Sequence, residues 1–163
     1  MPVKKVTQNM QDQLAEIGQR SVLLRLAMMS MGTPWEVFLN VGEAGYDILL
    51  TNLRSKERVK IEVKTRQRLH TTAKEKNRNI AHFTVTKNER TRANFVVCYW
   101  WEKSWFFVVP SDDLRKSGSG KRIAYKFIVS CTKRKGTPSA GGLAYWNRWD
   151  RLAPDFQEKT GAC

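Results

Sequence analysis

The stretch GYDILLTNLRSKERVKIEVKT, Gly45 to Thr65, decides how the rest of the chain is read. Two apolar runs, Tyr46–Asn52 and Val59–Thr65, flank a charged link from Asn52 to Arg58, which is the signature of a β-hairpin. Side chains two residues apart on a strand share a face, at a spacing of roughly 6.5–7 Å. Glu62 and Lys64 therefore look out together, while Val59, Ile61 and Val63 pack the other way. Asp47 opens the first run. If it lies across the sheet from the pair, one end of the hairpin gathers two carboxylates and an amine. A charged pair at alternate strand positions is also what a solvated face looks like, so the cluster alone carries no function.

Its surroundings favour a site. Asp47 follows Gly45-Tyr46 at a strand edge, where a carboxylate can stay wet. Glu62 and Lys64 interrupt an otherwise apolar strand, and a half-buried carboxylate needs an ammonium, a metal ion or both beside it. The hairpin then runs straight into the basic segment RQRLHTTAKEKNRNIAH, residues 66–82. It reads as a loop, with Arg66, Arg68, Lys74, Lys76 and Arg78 placed to meet a phosphate backbone. Gln67 belongs to the same phosphate-binding set or is plain surface.

The charge balance points the same way. The 163 residues carry 29 Lys and Arg against 15 Asp and Glu, a net charge of +14. The excess is uneven: residues 1–53 hold 4 basic and 5 acidic residues, residues 54–110 hold 14 and 5, and residues 111–163 hold 11 and 5. A near-neutral first third followed by a basic remainder makes a directed field, for which a polyanion is the natural partner. Cys98, Cys131 and Cys163 share no disulfide or zinc spacing, and Cys98 reads as a small buried hydrophobe. The polar, basic N-terminus shows no secretion signal, and Val22–Met31 is too short to span a bilayer and contains Arg25. A cytoplasmic protein with no membrane partner is the expectation.

Taken in order, the chain predicts a helix over residues 8–31, with Met10, Leu14, Ile17, Leu24, Met28 and Met31 as its core-facing stripe and Gly32 and Pro34 as its stop. Val22, Leu23, Leu26 and Met29 fall off that stripe, so the second half is expected to be covered on more than one side. Trp35–Val41 is a first strand. Phe83–Val85 is a short strand, and Thr86-Lys87-Asn88-Glu89 has capping-box spacing that opens a helix to about Ala93. Phe95–Trp101 and Trp105–Val109 form a second hairpin whose continuous apolar runs predict strands covered on both faces. Trp100, Trp101 and Trp105 offer stacking surfaces for bases, but beside Phe106 and Phe107 they read as core. Ile123–Ser130 is a strand and Tyr145–Leu152 a closing helix. His70 and His82 read as loop histidines, and Lys133-Arg134-Lys135 as a phosphate contact or a solvated run. The fold class is α/β: helix, three strands, helix, strand, and C-terminal additions in one domain of residues 1–163.

Asp47, then Glu62-Val63-Lys64 on the next strand behind an N-terminal helix, resembles the PD-(D/E)XK nuclease superfamily, which includes restriction endonucleases and archaeal Holliday junction resolvases. The resemblance extends to Val22–Leu26 on the helix, the Gly45–Thr65 hairpin and the aromatic strand Trp105–Pro110, and covers about residues 10–110. Tyr46 departs from the family's proline. The resemblance implies a restriction-endonuclease-like core, a central mixed β-sheet flanked by helices. It also implies Mg²⁺, with Mn²⁺ as substitute, held by Asp47, Glu62 and the Val63 carbonyl, and Lys64 as the catalytic lysine. Two hard carboxylates suit Mg²⁺, which keeps most of its waters. Many members add a helix glutamate; Glu16 is the acid available, although the spacing from Gly18 and Val22 puts Gln19 there, three residues along on a shared face. The implied activity is Mg²⁺-dependent hydrolysis of DNA phosphodiester bonds; cutting both strands of a duplex calls for two active sites, so a homodimer is expected. The alternative is a nucleic-acid-binding protein that keeps the fold without the activity.

Overall fold

The computed structural model describes residues 7–42, 44–66, 79–132 and 136–157. A long helix, α1 (Gln8–Ser30), leads into β1 (Trp35–Leu39), β2 (Ile48–Asn52) and β3 (Arg58–Arg66). Then come β4 (Ile80–Thr86), α2 (Lys87–Arg92), β5 (Phe95–Trp100) and β6 (Trp105–Pro110). The C-terminal third adds β7 (Arg115–Ser117), β8 (Ala124–Ser130) and α3 (Ala140–Leu143). A five-stranded sheet runs β1-β2-β3-β5-β6, and a three-stranded sheet runs β4-β8-β7. The larger sheet is mixed, because β3 and β5 are parallel while its other neighbours are antiparallel. The protein is thus an α/β fold around a mixed central sheet.

The continuous apolar runs of β5 and β6 are explained by two cores, one on each face of the central sheet. Val97, Phe106 and Val108 face α1 and join Val59, Ile61 and Val63 of β3. Val96, Cys98, Trp100, Trp105, Phe107 and Val109 face the other way, against Ala81, Phe83 and Val85 of β4 and Phe127 and Val129 of β8. Trp100 and Trp105 are core, as expected, whereas Trp101 sits on a 3-10 turn and is 41% exposed. The chain passes from β3 to its parallel neighbour β5 through β4 and α2. That crossover lays the small sheet and α2 over the face of β3 that carries Glu62 and Lys64.

Several expectations are corrected. The stripe read as core-facing on α1 is solvent-facing: Met10, Ile17, Leu24, Met28 and Met31 are 46–78% exposed. The buried face is Gly18, Val22 and Leu26, with Leu23 and Met29 packed beside it. The reason is steric: at Gly18 an added Cβ would overlap the Thr65 side chain, so only the small-residue face lets the helix lie directly on β3. The strand before α2 begins at Ile80, three residues earlier than expected, with Ala81, Phe83 and Val85 buried in alternation and His82 exposed on the outer face. This strand adds an element to the expected helix, three strands, helix, strand order. β1 ends at Leu39, two residues earlier than expected, and Val41 is 86% exposed. The expected closing helix is a 3-10 turn at Trp149–Arg151. Residues 111–157 do more than extend the core: Trp149, Leu152, Ala153 and Phe156 complete the α1-side cluster, and Phe127 and Val129 complete the other. Cys98 and Cys131 are free thiols. Among the described residues no helix is long and apolar enough to cross a membrane.

Candidate active site

The β2–β3 ladder closes at the pair Ile48 and Ile61, while β3 continues to Arg66 along β5. Beyond Ile61 the sheet forks, and Asp47 fills the fork. Its backbone N–H donates to the Ile61 carbonyl at 2.8 Å. Its Oδ2 accepts from the Val63 N–H at 2.7 Å, the donor a continuing β2 would have bonded. Its Oδ1 accepts from Gln19 Nε2 on α1, also at 2.7 Å. A residue's N–H and C=O point to the same side of a strand, so the Val63 carbonyl also faces the fork. Gly45, at φ +99°, lets the preceding loop press on α2: an added Cβ there would sit 2.5 Å from Arg92 Cδ.

On the other face, Lys64 Nζ lies 2.7 Å from Glu62 Oε1 and 3.0 Å from Glu89 Oε1. Glu89 was not anticipated as a site residue. It is the fourth residue of the capping box: its Oε2 accepts from the Thr86 N–H at 2.8 Å, and its own N–H donates to Thr86 Oγ1 at 3.3 Å. One carboxylate thus closes the first turn of α2 and holds Lys64.

Burial dominates the electrostatics. It pushes Asp47 above the usual carboxylate range, against the Val63 N–H and the Lys64 charge. Glu62, 6% exposed, is pushed up to about 7 by burial and by the Asp47 charge, with Lys64 pulling the other way. Burial alone would lower Lys64, yet Glu62 and Glu89 together hold its ammonium above the ordinary value. Burial would likewise raise Glu89, but the Thr86 N–H and Lys64 bring it below. Three carboxylates surround one ammonium, so the centre carries excess negative charge in a poorly solvated place.

The structure brings together Asp47, Glu62, Val63 and Lys64. It does not bring Glu16, which is exposed and paired with Arg20 one helical turn on, at 2.8 Å. The residue facing the site is Gln19, because α1 is turned so that Gly18 and Val22 meet β3. Arg66 lies over the Trp100 ring, 4.5 Å from its centroid. Gln67, Arg68, His70, Lys74, Lys76 and Arg78 lie outside the described residues, as do Lys133, Arg134 and Lys135.

No protein-family model matches the chain, and no curated protein matches it. In fold it is similar to a solved structure titled as that of a bacterial homing endonuclease, I-Ssp6803I. The TM-score is 0.59 and the identity 19%, over 94% of this chain and 95% of that chain. At that identity the likeness is one of fold: an α/β chain with a mixed central sheet shares its architecture with a homing endonuclease over nearly its whole length.

Proposed function

We propose that this protein is a divalent-metal-dependent DNA endonuclease with a restriction-endonuclease-like, PD-(D/E)XK-type core. The observation that carries the proposal is the forked sheet, where the half-buried Asp47 and the buried Glu62 meet Lys64. The cluster passes a test of fit for a hard cation. Burial and mutual repulsion disfavour ionisation of both carboxylates, and a cation between them would remove that penalty. Among the described residues no three His, Cys, Asp or Glu side chains close around an ion, but Mg²⁺ needs only one or two carboxylates with water and phosphate oxygen. Asp47, Glu62 and the Val63 carbonyl would hold it, with Mn²⁺ able to substitute. Bound there, the ion would acidify a water and offset charge developing on the phosphate.

The chain's own groups do the rest. Gln19 and the Val63 N–H fix Asp47. Glu89 and Glu62 keep Lys64 protonated and aimed, so its ammonium can orient the attacking water or stabilise the charge that develops at phosphorus. Arg115, Lys116, Lys121 and Arg122 are exposed beside β7 and suit phosphate contacts. The basic segment 66–78 is proposed to do the same, in a cytoplasmic setting and with two copies acting on a duplex. One observation favours a second reading, a DNA-binding protein without activity: Lys64 is tied to two carboxylates, as a structural ion pair would be. A panel of duplex, junction and flap DNAs with Mg²⁺ separates the two readings. Cutting of any member supports the nuclease. Salt-sensitive binding of all with cutting of none supports the second reading, and absence of salt-sensitive binding overturns both.

Glu62 also sets a pH dependence. Its value in the folded protein exceeds the ordinary 4.5, so folding favours the protonated form. That contribution is fully present below pH 4.5 and is lost as pH rises through about 7, by roughly 3 kcal/mol. The metal-free protein should therefore lose stability over that window in urea titrations. Glu62→Gln should flatten the loss, and Mg²⁺ should stabilise wild type most above pH 7. A pH-independent Mg²⁺ effect would contradict this.

Glu89→Gln tests the positioning of Lys64. The amide oxygen can still accept from the Thr86 N–H, so the α2 cap survives and stability should change by no more than about 1 kcal/mol. Lys64 loses one of its two anchors, and single-turnover cleavage should fall about tenfold. Unchanged cleavage would remove Glu89 from the mechanism.

A further inference from the structure

The exposed apolar stripe of α1 has the pattern of a helix–helix seam. Met10, Ile17, Leu24 and Met31 recur every seven residues, and Leu14, Ser21 and Met28 fall four residues after the first three, which is the a/d spacing of a coiled coil. Five of these side chains are 46–78% exposed. They contribute on the order of 100 Å² each, so two copies would bury roughly 1,000 Å², the lower bound for a specific interface. The stripe lies away from Gly18, Val22 and Leu26, the residues that meet the sheet, so covering it disturbs no core contact.

We infer that two copies of this chain associate through α1, antiparallel, about a two-fold axis at Ser21. The seam is close to symmetric about that residue: Leu14 and Met28 lie seven residues to either side and face each other across the two copies, while Ile17 faces Leu24 and Met10 faces Met31, each of these pairs offset by one residue. Ser21 is small, and its hydroxyl already donates to the Ile17 carbonyl at 2.7 Å, so it can be buried at the crossing. Charge selects this face. The chain carries +14 overall, and copies repel one another elsewhere, but α1 is neutral, with Asp12 and Glu16 balancing Arg20 and Arg25. Antiparallel alignment also opposes the helix dipoles. The interface does not depend on the nuclease reading, although it supplies the second centre that duplex cleavage would use.

Light scattering of the full chain at micromolar concentration tests it. Wild type should have twice the 18.9 kDa chain mass, and the double variant Ile17→Asp, Leu24→Asp should be monomeric with unchanged circular dichroism and melting. Under oxidation Ser21→Cys should cross-link to itself above the wild-type background, and Met10→Cys should not. Dimerisation without any cleavage would support the interface and count only against the nuclease reading. A monomeric wild type, including one that instead binds anionic lipid vesicles, would overturn the inference. So would a dimer that survives the double variant, or self-cross-linking of Met10→Cys.

Discussion

Asp47→Asn is expected to abolish Mg²⁺-dependent cleavage while leaving the fold intact or firmer. The asparagine is nearly isosteric. Its oxygen can still accept from the Val63 N–H, and the Gln19 amide can turn to accept from the new NH₂ group. What disappears is a charge that burial already disfavours and that raises Glu62. Stability should therefore hold or rise, and Glu62 should titrate closer to an ordinary carboxylate. Activity should fall by about 10³-fold or more, roughly 4 kcal/mol of transition-state stabilisation, because the proposed cation would lose one of its two carboxylate ligands. DNA affinity measured without metal should be unchanged within a few fold. Lys64→Ala should be comparably inactive, but it leaves Glu62 and Glu89 without their cation and should destabilise the protein as well. The pair of variants separates roles: both inactive, one destabilised. An Asp47→Asn protein that cuts at the wild-type rate would contradict the proposed metal site.

Gly18→Val is expected to be the most damaging single change outside the site. The α1–β3 approach is set by the absence of a side chain there, and even a Cβ would overlap Thr65 Oγ1 and lie 3.0 Å from Thr65 Cβ. Accommodating valine requires α1 to lift off β3, opening the packing of Val22 and Leu26 and withdrawing Gln19 from Asp47. Overpacking of this kind costs about 1–3 kcal/mol, and more when backbone must move, so a loss of at least about 3 kcal/mol in urea unfolding is predicted. Gly18→Ala should lose less, since alanine returns about 1 kcal/mol of helix propensity. Combining it with Thr65→Ala should recover most of that loss, because both are side-chain changes at one contact. Additive losses in the double variant would contradict the contact.

The hairpin from Gly45 to Thr65 was legible because it is local: alternation separates Val59, Ile61 and Val63 from Glu62 and Lys64 with no knowledge of the rest of the chain. The two-sided burial of β5 and β6 was legible for the same reason. The face of α1 was not, because two apolar stripes compete on one helix, and packing chose the smaller, with Gly18 touching β3, over the more hydrophobic. The same rotation replaced Glu16 by Gln19 at Asp47. Glu89 was visible as a cap but not as a partner of Lys64, since that contact exists only once the crossover folds α2 over β3. The aromatic tail carried no motif, yet Trp149 and Phe156 fill the core under α1, a role set by contacts far apart in sequence.

The most direct test is conversion of supercoiled plasmid by the wild-type chain in Mg²⁺, with and without chelator, beside Asp47→Asn. Nicked or linear DNA with Mg²⁺, none with chelator and none with the variant is the result predicted. Unchanged plasmid under all conditions, from a protein that still binds DNA, would contradict the nuclease reading. Cleavage that persists in chelator or in the variant would place the chemistry elsewhere.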